Sequence, residues 1–479
     1  MTPDEILARQ ARALDQRRPW EGVWQECYDH VLATTPGMGG ATRYDGTAPD
    51  AAEQLAASLM SELTPPWSRW FGLAPSHALE RSPDAAAARA ALEETAEVLQ
   101  GHLDRSNYAQ ESHQAFLDLV VAGTGVLAVE EAPPGEMSAL RFRAVPLRET
   151  VLEEGPGGRL DTVYRAVRLT VAEIQYRWPR ATLPAALLNR DADAMPAKHR
   201  VVEAVWPDGS GYRQAVVLDP GDGMPALITE GRFSESPFVA FRWMKAPGET
   251  YGRGPVMKAL PDIRTANKVV ELVLKNASIA ATGIWQAEDD GVLNPATIKL
   301  VPGAIIPKAP GSSGLTPLAA PGKFDVSQLV LDDLRAAIRS ALLADRLGLP
   351  REGKMTATEV LERSAQTARL LGATYGRLQA ELLTPLIARS LSILRRRGEV
   401  PPLSLDGREV RLTYQSPLAR VQGRADAANT LLFLQSVSSM GAEAAKQVDI
   451  PAATRALARM LAAPAEILAP QPIDAPEKE

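Results

Sequence analysis

The chain has 479 residues, with 52 Lys+Arg against 58 Asp+Glu, and so a net charge of −6 at pH 7. At 45% hydrophobic and 23% charged residues it is too apolar to be disordered throughout, and long enough to bury a core in two to four domains without covalent staples. The sign of the charge excludes a strongly basic nucleic-acid binder at whole-chain level, and the single cysteine, Cys27, excludes an intrachain disulfide and fits a reducing, cytosolic setting.

The first 125 residues read as helices. The opening MTPDEILARQARALDQRR has no apolar run, so no signal peptide is expected. Asp50 and Glu53 form a D-x-x-E pattern suited to a helix start, with Leu55, Leu59 and Leu63 on one face. Pro65-Pro66 stops that helix, and Trp67, Trp70 and Phe71 follow as packing anchors. Ser82-Pro83 starts a second helix, and Asn107 caps a third that Gly123 ends.

From about Gly125 to Trp243 the pattern changes. Short runs such as GVLAVEE, LRFRAV, TVYRAVRL, RVVEAVW, RQAVVLD and FVAFRW alternate with Gly/Pro turns, which predicts antiparallel strands. One helix interrupts them, opened by Thr170 and Glu173 as a T-x-x-E box and ended by Pro179.

Helical spacing returns near Pro261, with Ile263, Val270 and Val273 on one stripe. A Gly/Pro-dense module spans residues 282–323, and a second helix starts near Asp325, which can cap with Gln328. Its stripe is Leu331, Leu334 and Ile338. After LGLPREGKMTATEV, a long helical pattern opens at Thr356 and Glu359 and runs to Arg397, with kink points at Gly372, Gly376 and Thr384-Pro385. A short strand, VRLTY, and Ala-rich helices close the chain. The longest charge-free run, residues 427–442, is polar and only 16 residues long. A membrane span needs about 20 mostly apolar residues, so none is expected.

Catalytic patterns fail on chemistry. Gly348 to Lys354 matches the G-x-x-x-x-G-K spacing of a phosphate loop. Yet Met355 stands where a hydroxyl must bind Mg²⁺, Pro350 removes an amide, and a helix precedes it instead of a strand. The five histidines are scattered, with no H-x-x-x-H pair and no G-x-S-x-G elbow, so neither a metal site nor a nucleophile is expected. Charge is unevenly spread: residues 1–110 carry −7 and residues 335–411 carry +6, the latter including Arg346, Arg351, Lys354 and Arg395-Arg396-Arg397. That basic stretch reads either as a solvated helix face or as a contact for phosphates.

Four segments carry a family resemblance. They are APGETYGRGPVMKALPDIRTANKVVELVLKNASIA from Ala246, with a G-E-x-Y-G-R-[GS] signature, and LAASLMSELTPPWSRWFGL from Leu55. The others are SNYAQESHQAFLDLVVAGTGVLAVEE from Ser106 and KMTATEVLERSAQTARLLGATYGRLQAELLTPLIARSL from Lys354. With this order of parts the chain resembles the portal proteins, or head-to-tail connectors, of tailed bacteriophages, chiefly the podovirus type. The match covers most of residues 40–400 and fades beyond about residue 420.

The resemblance implies an α+β, mainly helical portal-protein fold with wing, stem, clip and crown, assembled as a homo-oligomeric ring, typically of twelve subunits. The wing would be 1–260, with its β-rich region at 125–243. Stem helices would be 261–281 and 325–346, around a clip at 282–324. A tunnel loop at 347–356 would precede a long kinked wing helix and return strand at 357–420, and a crown-like C-terminus at 421–479. The ring would sit in the virion at one capsid vertex, after assembly in the host bacterial cytoplasm.

Double-stranded DNA would pass through the channel without sequence-specific contact, for packaging, retention and ejection. Partners would be the terminase, then a tail adaptor protein, with the major capsid and scaffolding proteins around the ring. No enzymatic activity, cofactor, metal or membrane is implied. Arg346, Arg351 and Lys354 would face the channel, and Ile263, Val270, Val273, Leu331, Leu334 and Ile338 would pack the stem. Trp285, Lys299, Lys308 and Lys323 would belong to the clip interface, although core packing is an equal reading for Trp285. Another virion assembly or adaptor protein is the alternative, and a P-loop nucleotide hydrolase a third.

Overall fold

The structure, a computed structural model, describes residues 1–32, 42–81, 83, 85–184, 187, 197–221, 223–282, 285–287, 310–311, 315–317, 324–344, 372, 374–402, 410–414, 417–440 and 447–460. It mixes helix and sheet in a fixed order along the chain.

Helix α1 (Pro3–Val31) opens with a reciprocal capping box between Thr2 and Glu5. Helix α2 (Thr47–Leu63) starts three residues ahead of the expected Asp50 cap. Asp45 provides the acceptor there, taking the Thr47 amide at 2.9 Å, and Asp50 lies inside the first turn. A strand, β1 (Phe71–Pro75), follows where only helix was expected. Trp70 and Phe71 are buried as anchors, whereas Trp67 is 72% exposed and anchors nothing.

A one-turn helix α3 (His77–Glu80) leads to α4 (Ala85–Arg105) and α5 (Tyr108–Ala122). Asn107 sits at the N-cap position of α5 without capping it. Its side chain instead exchanges two hydrogen bonds with the backbone of Phe142, at 2.8 and 2.9 Å. Gly123 ends α5 in the left-handed conformation, as expected.

The β-rich region forms two antiparallel sheets. β2 (Thr124–Glu131) lies between β3 (Leu140–Ala144) and β9 (Phe238–Arg242). The other sheet runs in sequence order through β4 (Thr150–Glu154), β5 (Leu160–Leu169), β6 (His199–Asp208), β7 (Gly211–Asp219) and β8 (Ala226–Phe233). Helix α6 (Val171–Arg177) carries the expected Thr170/Glu173 box and covers one face of this sheet with Ile174. The start of α1 covers the other face with Ile6 and Ala13.

Helix α7 (Pro255–Thr282) contains the expected 261–281 segment but begins six residues earlier. Pro261 lies inside it, and burial of Val256, Ala259, Leu260 and Ile263 outweighs the missing amide. β10 (Trp285–Ala287) pairs antiparallel with β11 (Leu315–Pro317), and α8 (Phe324–Ala341) packs back on α7. α8 begins one residue before the expected Asp325, whose side chain lies outside the described residues, and Gln328 donates to Asp332 at 3.1 Å. Leu343, with φ +57°, follows the end of α8.

The long helix is described from residue 374. A π-turn (Gln379–Leu383) interrupts it before α9 (Thr384–Arg397), next to the expected Thr384-Pro385 kink. β12 (Val410–Tyr414) pairs with β1, joining residues more than 300 positions apart. Helices α10 (Pro417–Ser439) and α11 (Ile450–Met460) are the last described elements. One apolar core joins α1, α2, α4, α5, α7, α8, α9 and β12.

Candidate functional site: a helix pair and the junction that roots it

The stem stripe expected from sequence splits into three levels of burial. Ile263, Leu331 and Ile338 are buried in the main core. Val270 and Leu334 are half-buried and pack against that core, and Val273 is half-buried. Beyond residue 270 the pair loses its cover: Leu272 and Leu274 are 48% and 52% exposed, and Leu329 of α8 is 67% exposed. The same pair is therefore packed at its root and bare toward β10 and β11.

Polar contacts pin the root from both helices. Asn267 of α7 accepts the amides of Tyr44 and Asp45 at 2.6 and 3.2 Å and donates to the Thr42 carbonyl at 3.1 Å. Arg335 of α8 pairs with Asp45 at 2.8 Å. Burial pushes the Asp45 carboxyl up, but hydrogen bonds from Thr47 and Arg335 hold it below its ordinary value overall. Arg264 pairs with Glu26 of α1.

The segment GETYGRG, residues 248–254, feeds α7 and explains its own composition. Tyr251 is buried against Trp24 and Trp20, with ring centroids 5.0 and 6.1 Å away. Its hydroxyl accepts the Leu152 amide at 3.1 Å, and burial pushes its pKa up to about 12. A Cβ at Gly252 would lie 2.1 Å from the Gly123 carbonyl oxygen, and one at Gly254 would lie 2.6 Å from that of Val120. Two backbones touch here, so glycine is a packing requirement. The Gly252 amide donates to Thr124 Oγ1 at 2.9 Å.

Beside this contact lies a buried guanidinium that sequence reasoning missed. Arg242, at the end of β9, is fully buried. It meets Glu381 of the π-turn through Nε at 3.2 Å and Nη2 at 2.7 Å. It also meets Glu154 of β4 at 2.7 Å and the carbonyls of Thr250 and Gly158 at 3.0 and 2.7 Å. Burial alone would lower its pKa, but the bonds to Glu381 and Glu154 more than compensate, and the net shift is upward. Lys245 adds a second cation to Glu154 at 2.5 Å. No local spacing signals this cluster, because its members come from residues 154, 242 and 381.

Arg346, Arg351, Lys354, Lys299, Lys308 and Lys323 lie outside the described residues, as does the side chain of Trp285. Among the described residues no group of three or more His, Cys, Asp or Glu could hold a metal ion, and no helix is long and apolar enough to cross a membrane.

The family described as bacteriophage head to tail connecting protein matches residues 4–468. The chain is similar to the probable portal protein of Bordetella phage BPP-1, at 25% identity over 89% of this chain and 80% of that one. It is similar to the portal protein of Salmonella phage epsilon15, at 24% identity over 98% and 89%. A chain from the virion of a native gene transfer agent particle aligns over 80% of this chain and 85% of its own at 13% identity, with a TM-score of 0.37.

Proposed function

The chain belongs to the bacteriophage head to tail connecting proteins, and from that premise we propose that its copies close into a ring, of about twelve subunits, that conducts double-stranded DNA at one vertex of the virion. The observation that carries this reading is the family match over nearly the whole chain. The half-bare helix pair supports it, because exposed leucines on a helix rooted in a core suit burial by a neighbouring copy. The pair α7 and α8 is the stem, and the segment between them, with β10 and β11, is the clip that docks the terminase and then a tail adaptor protein. Residues 1–260 form the wing, residues 347–356 the tunnel loop, and residues after 420 the crown.

A conduit must let a duplex slide. A chain of net charge −6 with a few channel-facing cations suits weak, sequence-independent phosphate contact. Arg346, Arg351 and Lys354 are those cations, and the protein performs no chemistry of its own. Capsid and scaffolding proteins surround the ring during assembly in the host cytoplasm.

Electron microscopy of the purified protein tests the ring directly: closed rings are expected, and a persistent monomer under assembly conditions would refute it. Arg351→Ala with Lys354→Ala is expected to leave rings intact but change the DNA content of filled particles. Unchanged packaging and retention in that double variant would remove these residues from the channel.

A further inference from the structure

The interruption at Gln379–Leu383 is held open by groups from three other elements. In a regular helix the Thr384 amide would bond to the Ala380 carbonyl. Here it reaches one residue further, to Gln379, and the Thr384 hydroxyl donates to the same carbonyl at 2.9 Å. That frees the Ala380 carbonyl, which accepts Arg159 Nη2 at 3.3 Å. Pro385 has no amide to offer Glu381, so the turn sits where a regular ladder is already broken.

The same turn is gripped through its side chains. Glu381 is held by Arg242 on both carboxylate oxygens and by Arg377 at 3.2 Å. Tyr414 of β12 hydrogen-bonds Thr384 at 2.6 Å. Arg159 and Gly158, which bond Ala380 and Arg242 respectively, both belong to the exposed turn between β4 and β5. One surface turn therefore contacts the π-turn directly and also through Arg242.

We propose that the π-turn is one of two registers of the long helix, and that the β4–β5 turn, acting through Arg159 and the Arg242–Glu381 pair, holds it in the π register. The other register is α-helical through Thr384, with the ladder interrupted only at Pro385. In it the Thr384 amide returns to Ala380, Arg159 loses its acceptor, and Glu381 leaves Arg242. Removing one residue's worth of slack turns helix residues 374–378 by about 100° and shifts them by about 1.5 Å relative to α9. The β-rich region and helix residues 374–378 then move as coupled parts.

Electron cryomicroscopy of the assembled particle with Arg159→Ala and Glu381→Gln combined tests the coupling. The expected result is a continuous helix through 379–384, with Tyr375 turned out of the core. Retention of the π-turn in that variant would overturn the proposal. Hydrogen exchange of Arg159→Ala alone, whose side chain is exposed, provides a second reading that does not depend on the double variant folding. Exchange at 379–385 should rise at least about tenfold while α9 beyond residue 388 stays unchanged. Unchanged exchange, or a rise spread evenly over the chain, would overturn it as well.

Discussion

At the scale of single residues, two positions make opposite demands on the fold. Gly252 has no room for a methyl group, since the nearest atom is backbone and cannot rotate away. Gly252→Ala should cost about 3 kcal/mol, read as a drop in the thermal midpoint. Gly22→Ala, in open space on α1, should instead stabilise by about 0.5–1 kcal/mol. Equal effects of the two substitutions would refute the close-contact argument.

Asp118 is held differently. Burial pushes its pKa up to about 6, against hydrogen bonding from Tyr28 and the nearby Arg148, which lower it. The folded chain therefore binds a proton more tightly than the unfolded chain, so this group's contribution to stability falls as pH rises from about 4 to 6. Asp118→Asn removes that penalty. The variant should gain about 1–2 kcal/mol over the parent at pH 8 and lose the advantage below pH 4. A variant weaker than the parent at pH 8 would contradict this. Neither position announces its role in sequence: Gly252 stands in a recognisable signature, but only the Gly123 backbone across the contact explains it.

At the scale of elements, legibility follows the range of the determining contacts. The Thr170/Glu173 box and the Gly123 stop were readable because cap and partner lie within a few residues. β1 was not, because its ladder partner is β12 and nothing in FGLAP itself forces extension. The start of α7 was misplaced for a related reason: Pro261 signals a boundary locally, while tertiary burial of the preceding turn decides otherwise. The Thr384-Pro385 kink was visible, but its form, a π-turn gripped by Arg242, required residues far away in sequence.

The helix pair yields a prediction at this scale. Leu272→Glu with Leu274→Glu places charge on the bare half and leaves the root untouched. Subunits should fold with a thermal midpoint near that of the parent subunit, yet sediment as monomers. Rings of normal stability in that variant would show that these leucines are not covered by a neighbour.

At the scale of the molecule, α1 is the element that ties the parts together. Its first half seals one face of the five-stranded sheet, and Cys27 and Val31 at its end enter the helical core. Arg17, midway, donates to the carbonyls of Leu147 and Thr150 at 2.9 and 2.6 Å. α1 consequently clamps sheet and helices together, and α7 is rooted in the body it clamps.

The uneven cover of α7 has a thermodynamic corollary. Its outer half is about as long as the shortest helices that persist in water, and it has little core to lean on. In a lone subunit that half behaves as a cantilever, with all its support at one end. If neighbouring copies cover it in the proposed ring, its helicity is a function of protein concentration, and the apparent melting of the tip and the dissociation of that ring are one equilibrium seen by two instruments.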